Sequence, residues 1–554
     1  MNNHPECSSA KQDHLPTRLL SVKDNVVKLC ETSTLPRTTK FATLSYSWGN
    51  EDSLKLLQSN VKSFQRCLPY AKLGKTYTDA IKATQELGIS YLWIDALCII
   101  QDSPKDWSHE APLMSTVYGN SFLNIAASGG ENPNAGLFFA REVRDVKAVR
   151  VHMDNRTPQS MHTILLPIKW TCVTGILGSR AWTFQERFLA HRSLHYTQSQ
   201  VFWECKTQRL ASESSPSGVS ERFLENSGQD HSLRRKPAKL WEAQELWHNI
   251  VGIYSRGRLT YGRDKLVALS GVADWFDDTI KYLPALRTQG VHQTASSVSG
   301  KSYPYGDYLA GIQLSNLPKS LCWKLDTSGE NDNLPKFPAS CIAPSWSWAS
   351  QNWPVTFLQH DIKAYPNGPR DEPYIKFIQA KLSFTTTSGE VFQGGDHVQS
   401  MQIKCRRLLR GDWDSKLVNT HGLSALGEQM MPNEGLASIS WDNGDEKETV
   451  AYLLPTYKNV RKYAFLYGIM IKPAFDASGK LCWRRVGHFN MRLMVKHRHL
   501  CPWESLLDYF LSEEPKMKAT AAGYELPQPP EESVYEDVAG KDEKGNKLYI
   551  ITLI

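Results

Sequence analysis

Along residues 41–205, short apolar runs alternate with segments of helical period. Phe41 to Tyr46 is β-prone and ends at Trp48-Gly49-Asn50, a turn signal. Tyr77, Ala80, Ile81, Thr84 and Leu87 then recur at helical spacing, with Gly88 placed as a C-cap glycine. Thr76 with Asp79 reads as a capping box at the start of this helix. Tyr91 to Ile94 is a second, buried strand, and Trp107, Glu110, Met114, Val117 and Tyr118 define a second helix with Pro112 in its interior. Phe122 to Ala127 is a third strand. After a variable stretch from Gly129 to about Ile176, a helix spans Ala181 to Leu189, and Leu194 to Tyr196 and Val201 to Trp203 close the series. Strand and helix in alternation predict an α/β domain with a mostly parallel sheet flanked by helices. Ligands of such sheets bind outside the carboxyl ends of the strands, where Ser47 to Glu51, Asp95 and Ser128 fall.

The rest of the chain divides by pattern. Residues 1–38 are polar and proline-punctuated, which predicts an extended lead-in to a domain at 39–210. Residues 211–237, rich in Ser, Glu, Gly and Arg, read as a linker or mobile loop, and 285–302 as a second polar loop. Residues 238–350 read as helical and mixed, with Trp241, Leu246, Ile250 and Tyr254 on one helix face and Trp346 and Trp348 on one face of a strand. Residues 351–554 read as a β-rich, mixed α+β C-terminal region.

Composition adds mainly exclusions. Of 554 residues 41% are apolar, enough for ordinary cores, and the length suits two to four domains. A net charge of +7 without a long basic block gives no indication of nucleic-acid binding. The 11 cysteines are widely spaced, with no Cys-x-x-Cys pair and no metal-ligand spacing, as in a reducing compartment. His191 and His195 are four apart but lack metal-site companions, so they read as surface or core histidines. The N-terminus has no apolar core of signal length, and no uninterrupted apolar run is long enough for a membrane span, which predicts a cytoplasmic location with the nucleus open.

Six motifs follow one another in order: Leu44-Ser45-Tyr46-Ser47-Trp48-Gly49; Tyr91-Leu92-Trp93-Ile94-Asp95 with Cys98-Ile99-Ile100-Gln101-Asp102; Asp106-Trp107 with Glu110, Met114, Val117 and Tyr118; Gly136-Leu137-Phe138; Ala181-Trp182-Thr183-Phe184-Gln185-Glu186-Arg187; and Phe202-Trp203-Glu204-Cys205. Together they resemble the fungal heterokaryon-incompatibility (HET) family. Arg263-Asp264-Lys265-Leu266, Tyr308-Leu309-Ala310-Gly311 and Ala343-Pro344-Ser345-Trp346-Ser347-Trp348 extend the likeness, so it covers most of 41–350. The departures are Arg180-Ala181-Trp182, where the family usually has Arg-Gly-Trp, and Pro112 inside a helix. The resemblance implies an effector of non-self recognition and triggered cell death, with self-association and an unidentified protein trigger as partners.

Thr43-Leu44-Ser45-Tyr46-Ser47-Trp48-Gly49-Asn50-Glu51-Asp52 is also similar to the opening strand and loop of TIR domains, and Trp182 with Glu186 matches their Trp-x-x-x-Glu. That weaker likeness implies a TIR-like sheet and NAD hydrolysis with Glu186 as the catalytic carboxylate, NAD being a substrate and no cofactor being called for. Helical spacing independently stacks Trp182, Glu186 and Leu189 on one stripe, where a half-dry carboxyl has a raised pKa. Glu110 is the runner-up catalytic residue; Trp48, Gly49, Asn50, Asp95 and Trp182 are the candidate nucleotide-binding residues; no metal ligand is proposed. Each has a structural alternative: Glu186 paired with an arginine, Glu110 pairing at a helix start, Asp95 capping a turn, Trp48 packing. The rival reading is a non-enzymatic signalling or self-association module whose aromatic motifs are core.

Overall fold

The computed structural model describes, with short breaks, residues 14–141, 175–206, 236–280, 308–326, 343–357, 371–383, 397–412, 437–442, 450–493 and 532–554, with the strands at 149–152, 162–165 and 211–212. The linker expected at 211–237 falls mostly, and the loop at 285–302 wholly, outside these residues.

The N-terminal sheet is built from β1 (Arg18–Ser21), β2 (Lys28–Glu31), β3 (Ala42–Ser45), β4 (Tyr91–Trp93) and β5 (Leu123–Ala126). A separate hairpin of β6 (Val149–His152) and β7 (His162–Leu165) follows, then β8 (Arg192–Tyr196), β9 (Val201–Cys205) and β10 (Ala211–Ser212), which rejoin the sheet. Its order is β10-β9-β8-β5-β3-β4-β1-β2. The four central strands, β4, β3, β5 and β8, run parallel, whereas both wings are antiparallel. The sheet is therefore mixed, which corrects the expectation of a mostly parallel one. The reason is local. β8 turns straight into β9 through Thr197–Gln200, too short a loop for a parallel crossover.

The expected lead-in is also corrected, since residues 18–31 form the two strands of one wing. Leu19 and Leu20 are fully buried, and the Arg18 guanidinium bonds the Cys98 carbonyl and both oxygens of Asp106. Four-residue strands flanked by polar segments leave little periodic signal.

Helices cover both faces. α1 (Val61–Arg66) packs on the β2 wing, and α2 (Lys75–Glu86) ends at Gly88 with φ +70°, as a C-cap glycine should. α2 lies on the face of Leu44 and Tyr46, where the Tyr77 hydroxyl donates to the Tyr46 hydroxyl at 2.8 Å. The capping box does not form, because Gly74 is the N-cap. Thr76 and Asp79 instead accept hydrogen bonds from the backbone N–H groups of Gly136 and Leu137 and so hold the 132–138 loop. α3 (Pro104–Asn120) is capped by Ser103, with Pro104 in its first turn, and carries Pro112 without breaking. With α4 (Ala181–Leu189) it covers the other face, that of Thr43 and Ser45.

α4 belongs to two cores at once. One side faces the sheet. The other joins a second cluster with α5 (Leu240–Tyr254) and α6 (Val267–Ile280), in which Ala181 and Phe188 pack with Leu246, Trp247, Val272 and Phe276. Trp182 and Leu189 touch both clusters. The same second core takes in Trp346 and Trp348, both fully buried, as expected. They do not lie on a strand, which is a correction. Ser347 caps a single 3-10 turn at Trp348–Ser350 and bonds the Ala310 carbonyl, so a side-chain hydroxyl supplies the contact that a strand partner would have made. C-terminal to this, ten strands between Asp371 and Leu553 form a barrel-like, largely antiparallel sheet. Buried Arg485 ties it to the 317–325 segment through Asp442, the carbonyls of Leu321 and Trp323, and the Trp323 ring 3.2 Å away. No helix among the described residues is long and apolar enough to cross a membrane.

Candidate functional site

The alternation of β3 places Thr43 and Ser45 on the side of α3 and α4, and both hydroxyls donate to Asn124 Oδ1, at 3.1 and 3.2 Å. Glu186, the sixth residue of the Ala181–Leu189 helix, points into this polar strip and is only 6% exposed. It is bonded by Ser45 and Tyr118, with the Arg180 guanidinium and the Asp95 carboxyl close enough to act on its charge. Burial pushes its carboxyl up to about 7, Ser45 and Arg180 oppose that, and Asp95 adds to it. One of its oxygens, Oε2, is buried with no hydrogen-bond partner, as is Ser47 Oγ on the segment beyond β3. Orphaned polar atoms inside a native fold mark a place for a water or a ligand group.

Asp95 starts the helical turn after β4 at the carboxyl edge of the sheet. Its Oδ1 accepts from the Ala96 N–H at 2.7 Å, while Oδ2 accepts from Trp48 Nε1 at 2.8 Å. Capping the turn and facing the site are thus one role. Burial raises its pKa too, against the Trp48 bond and the charge of Arg180. Two carboxyls with raised pKa values, close enough to influence each other, are a recognisable acid–base arrangement.

Trp48 lies nearly parallel to Tyr46, with centroids 6.5 Å apart, and the Lys55 ammonium sits 5.7 Å from its ring centre. Gly49 has φ +62°, and a Cβ there would meet Asn132 Cβ at 2.7 Å, so glycine is required by both conformation and space. Asn50 lies outside the described residues. Trp182 bonds Asp264 of the downstream Arg263-Asp264-Lys265 motif, which makes it a bridge to the second core. Glu110 is 3% exposed, but it is engaged by Arg18 at 3.5 Å and by His109 Nδ1 at 3.2 Å. The structure therefore brings Glu186, Asp95 and Trp48 together and gives Glu110 and Trp182 other partners.

Sequence reading passed over Ser45, Tyr118 and Arg180 as site residues. The signal for Ser45 was present as Thr43, Ser45 and Ser47, polar positions two apart in an apolar strand. Tyr118 is eight residues beyond Glu110 on one helix face. Arg180, which donates to the Tyr46 carbonyl, had no local signal, because its place depends on how α4 docks.

A mixed sheet layered between helices, with the buried carboxyls of Glu186 and Asp95 near its carboxyl edge, defines an α/β domain. Residues 41–186 match the family model described as Heterokaryon incompatibility protein (HET), and this segment is a HET domain, which implies a role in heterokaryon incompatibility. The match runs from the entry to β3 as far as Glu186, so β1, β2 and β8 to β10 complete the sheet from outside it. Comparison with curated proteins and with solved structures finds no match.

Proposed function

We propose that this protein is an effector of fungal non-self recognition and incompatibility cell death, whose HET domain works as a TIR-like hydrolase of NAD or a related nucleotide. The observation that carries the reading is Glu186: an almost fully buried carboxyl raised to about 7, with one orphaned oxygen, beside Asp95 and Trp48. In the reaction the bond between nicotinamide and the ribose C1′ breaks and nicotinamide leaves with the electron pair. Positive charge develops on the ribose, and the ionised Glu186 carboxylate stabilises it. Water adds to C1′ and its proton passes to Glu186, then to solvent. Trp48 and the backbone at Gly49 flank the nucleotide, and Arg180 balances the acidic pair.

The test is nicotinamide release from NAD by the purified full chain, wild type against Glu186→Gln. A loss of at least ~100-fold in the variant, which melts no lower than wild type, is the expected result. Hydrolysis at equal rates, or none by wild type at any protein concentration, together with cell killing by both proteins, supports the self-associating signalling module instead.

A further inference from the structure

A second constellation lies on the same face of the sheet as Ser45 and Glu186. Register sets Ser45 of β3 against Ala126 of β5, and Ala126 against His195 of β8. Ser128 follows β5 at the carboxyl edge, where its Oγ lies 3.3 Å from His195 Nδ1. His195 Nε2 lies 2.9 Å from Glu204 Oε2 on β9, and Arg187 Nε reaches the same oxygen at 2.8 Å. Ser128, His195 and Glu204 are 4%, 2% and 4% exposed. We propose that Ser128 is an activated hydroxyl nucleophile, with His195 as its base and Glu204 as the group that orients the imidazole, and that it cleaves esters of small apolar or aromatic acyl groups.

Several features argue for this role. A hydroxyl, an imidazole and a carboxylate in an unbroken hydrogen-bonded series are the groups that nucleophilic acyl transfer requires. The imidazole is used with Nδ1 toward the serine. The tautomer that donates Nε2–H to Glu204 turns the Nδ1 lone pair toward Ser128 Oγ, and Arg187 holds the carboxylate in place. The serine is fixed, because the Gly129 N–H bonds the Tyr196 carbonyl at 2.8 Å and so ties the loop after β5 to β8. A Cβ on Gly129 would lie 2.7 Å from the Gln198 nitrogen and 2.8 Å from Phe139, so only glycine permits this closeness. Beside the serine, Phe138, 47% exposed, meets Tyr196 edge-on at 5.8 Å, and the Phe139 ring lies against Gly129, aromatic neighbours that suit an apolar acyl group.

In the reaction Ser128 Oγ bonds to the ester carbonyl carbon and its proton moves to His195 Nδ1. The carbon–oxygen bond of the ester breaks, and the alcohol leaves with that proton. Water then attacks the acyl-serine, gives its proton to His195, and the acid departs as Ser128 recovers its hydrogen.

The test is the reaction of the full chain with an alkyl phosphonofluoridate, read by intact mass and peptide mapping. Ser128 Oγ displaces fluoride, and its proton passes to His195. A single adduct on Ser128 is expected, absent in Ser128→Ala and formed about 100-fold more slowly in His195→Gln, with a rate that rises through one ionisation in wild type. Absence of an adduct from wild type, or an adduct that persists in Ser128→Ala, overturns the proposal and leaves the three residues as a buried structural network. Ser128→Ala removes a single oxygen, and its melting temperature beside wild type separates loss of nucleophile from loss of fold. None of these readings depends on NAD cleavage.

Discussion

Glu186 shows how one side chain links stability to chemistry. Its ordinary value is 4.5 and its folded value about 7, so between these the native state holds a proton that the unfolded state has lost. Stability is therefore fully present below about pH 4.5 and declines as pH rises toward 7. The shift corresponds to a cost on the order of 3 kcal/mol once both states are ionised. Glu186→Gln keeps the shape and removes the charge, so it is expected to be more stable than wild type at pH 8 and closer to it at pH 5. Urea midpoints at the two pH values decide the matter, and a variant weakened equally at both would refute the buried-charge account. The same ionisation predicts that wild-type nucleotide hydrolysis rises through pH 7, because the carboxylate is the form that stabilises ribosyl charge.

At the scale of elements, α4 holds the site in position because other helices grip it from behind. The Gly271 N–H of α6 donates to Gln185 Oε1 at 2.8 Å, next to Glu186, and Ala181 N–H bonds the Arg258 carbonyl at 2.9 Å. A Cβ on Gly271 would fall 2.1 Å from Ser115 Cβ and 2.9 Å from Gln185 Oε1, so α3, α4 and α6 meet at this glycine with no room for a side chain. Gly271→Ala should cost about 1–3 kcal/mol by overpacking, and adding Ser115→Gly should restore part of it. Denaturant unfolding of the single and double variants measures the coupling; full additivity would mean that the helices relax independently.

For the whole molecule, the helix α4 that carries Glu186 is shared between the N-terminal sheet and the helices that follow it. Phe188 packs edge-on against Trp275 of α6 at 4.7 Å, Phe184 against Tyr254 of α5 at 5.8 Å, and Trp182 reaches Asp264. Cutting the chain at 210 strips these partners and leaves an aromatic face in water, at roughly 1.5–3 kcal/mol for each large side chain exposed. Residues 1–210 expressed alone should be aggregation-prone and rapidly cut within 177–206 by protease, whereas the full chain resists. Equal resistance would show that α4 docks on the sheet without help, and would restore a simple modular division at 210.

Much of this protein is legible along the chain. Periodicity alone places β3, β4, β5 and the helices α2, α3 and α4, because each pairs a run of buried apolar positions with a strong cap or turn signal, such as Ser103-Pro104 or Gly88. Spacing on α4 singles out Glu186 as a carboxyl on a half-dry stripe. The sequence does not carry the partners that complete the site. Ser45, Tyr118, Arg180 and Asp95 come from four separate segments, and only sheet register and helix docking bring them to one carboxyl. The antiparallel wing at 18–31 and the turn at 345–350 escaped for the same reason. Their residues are held by distant groups, Asp106 and the Ala310 carbonyl, and a contact between remote segments leaves no period in the chain that local propensity could reveal.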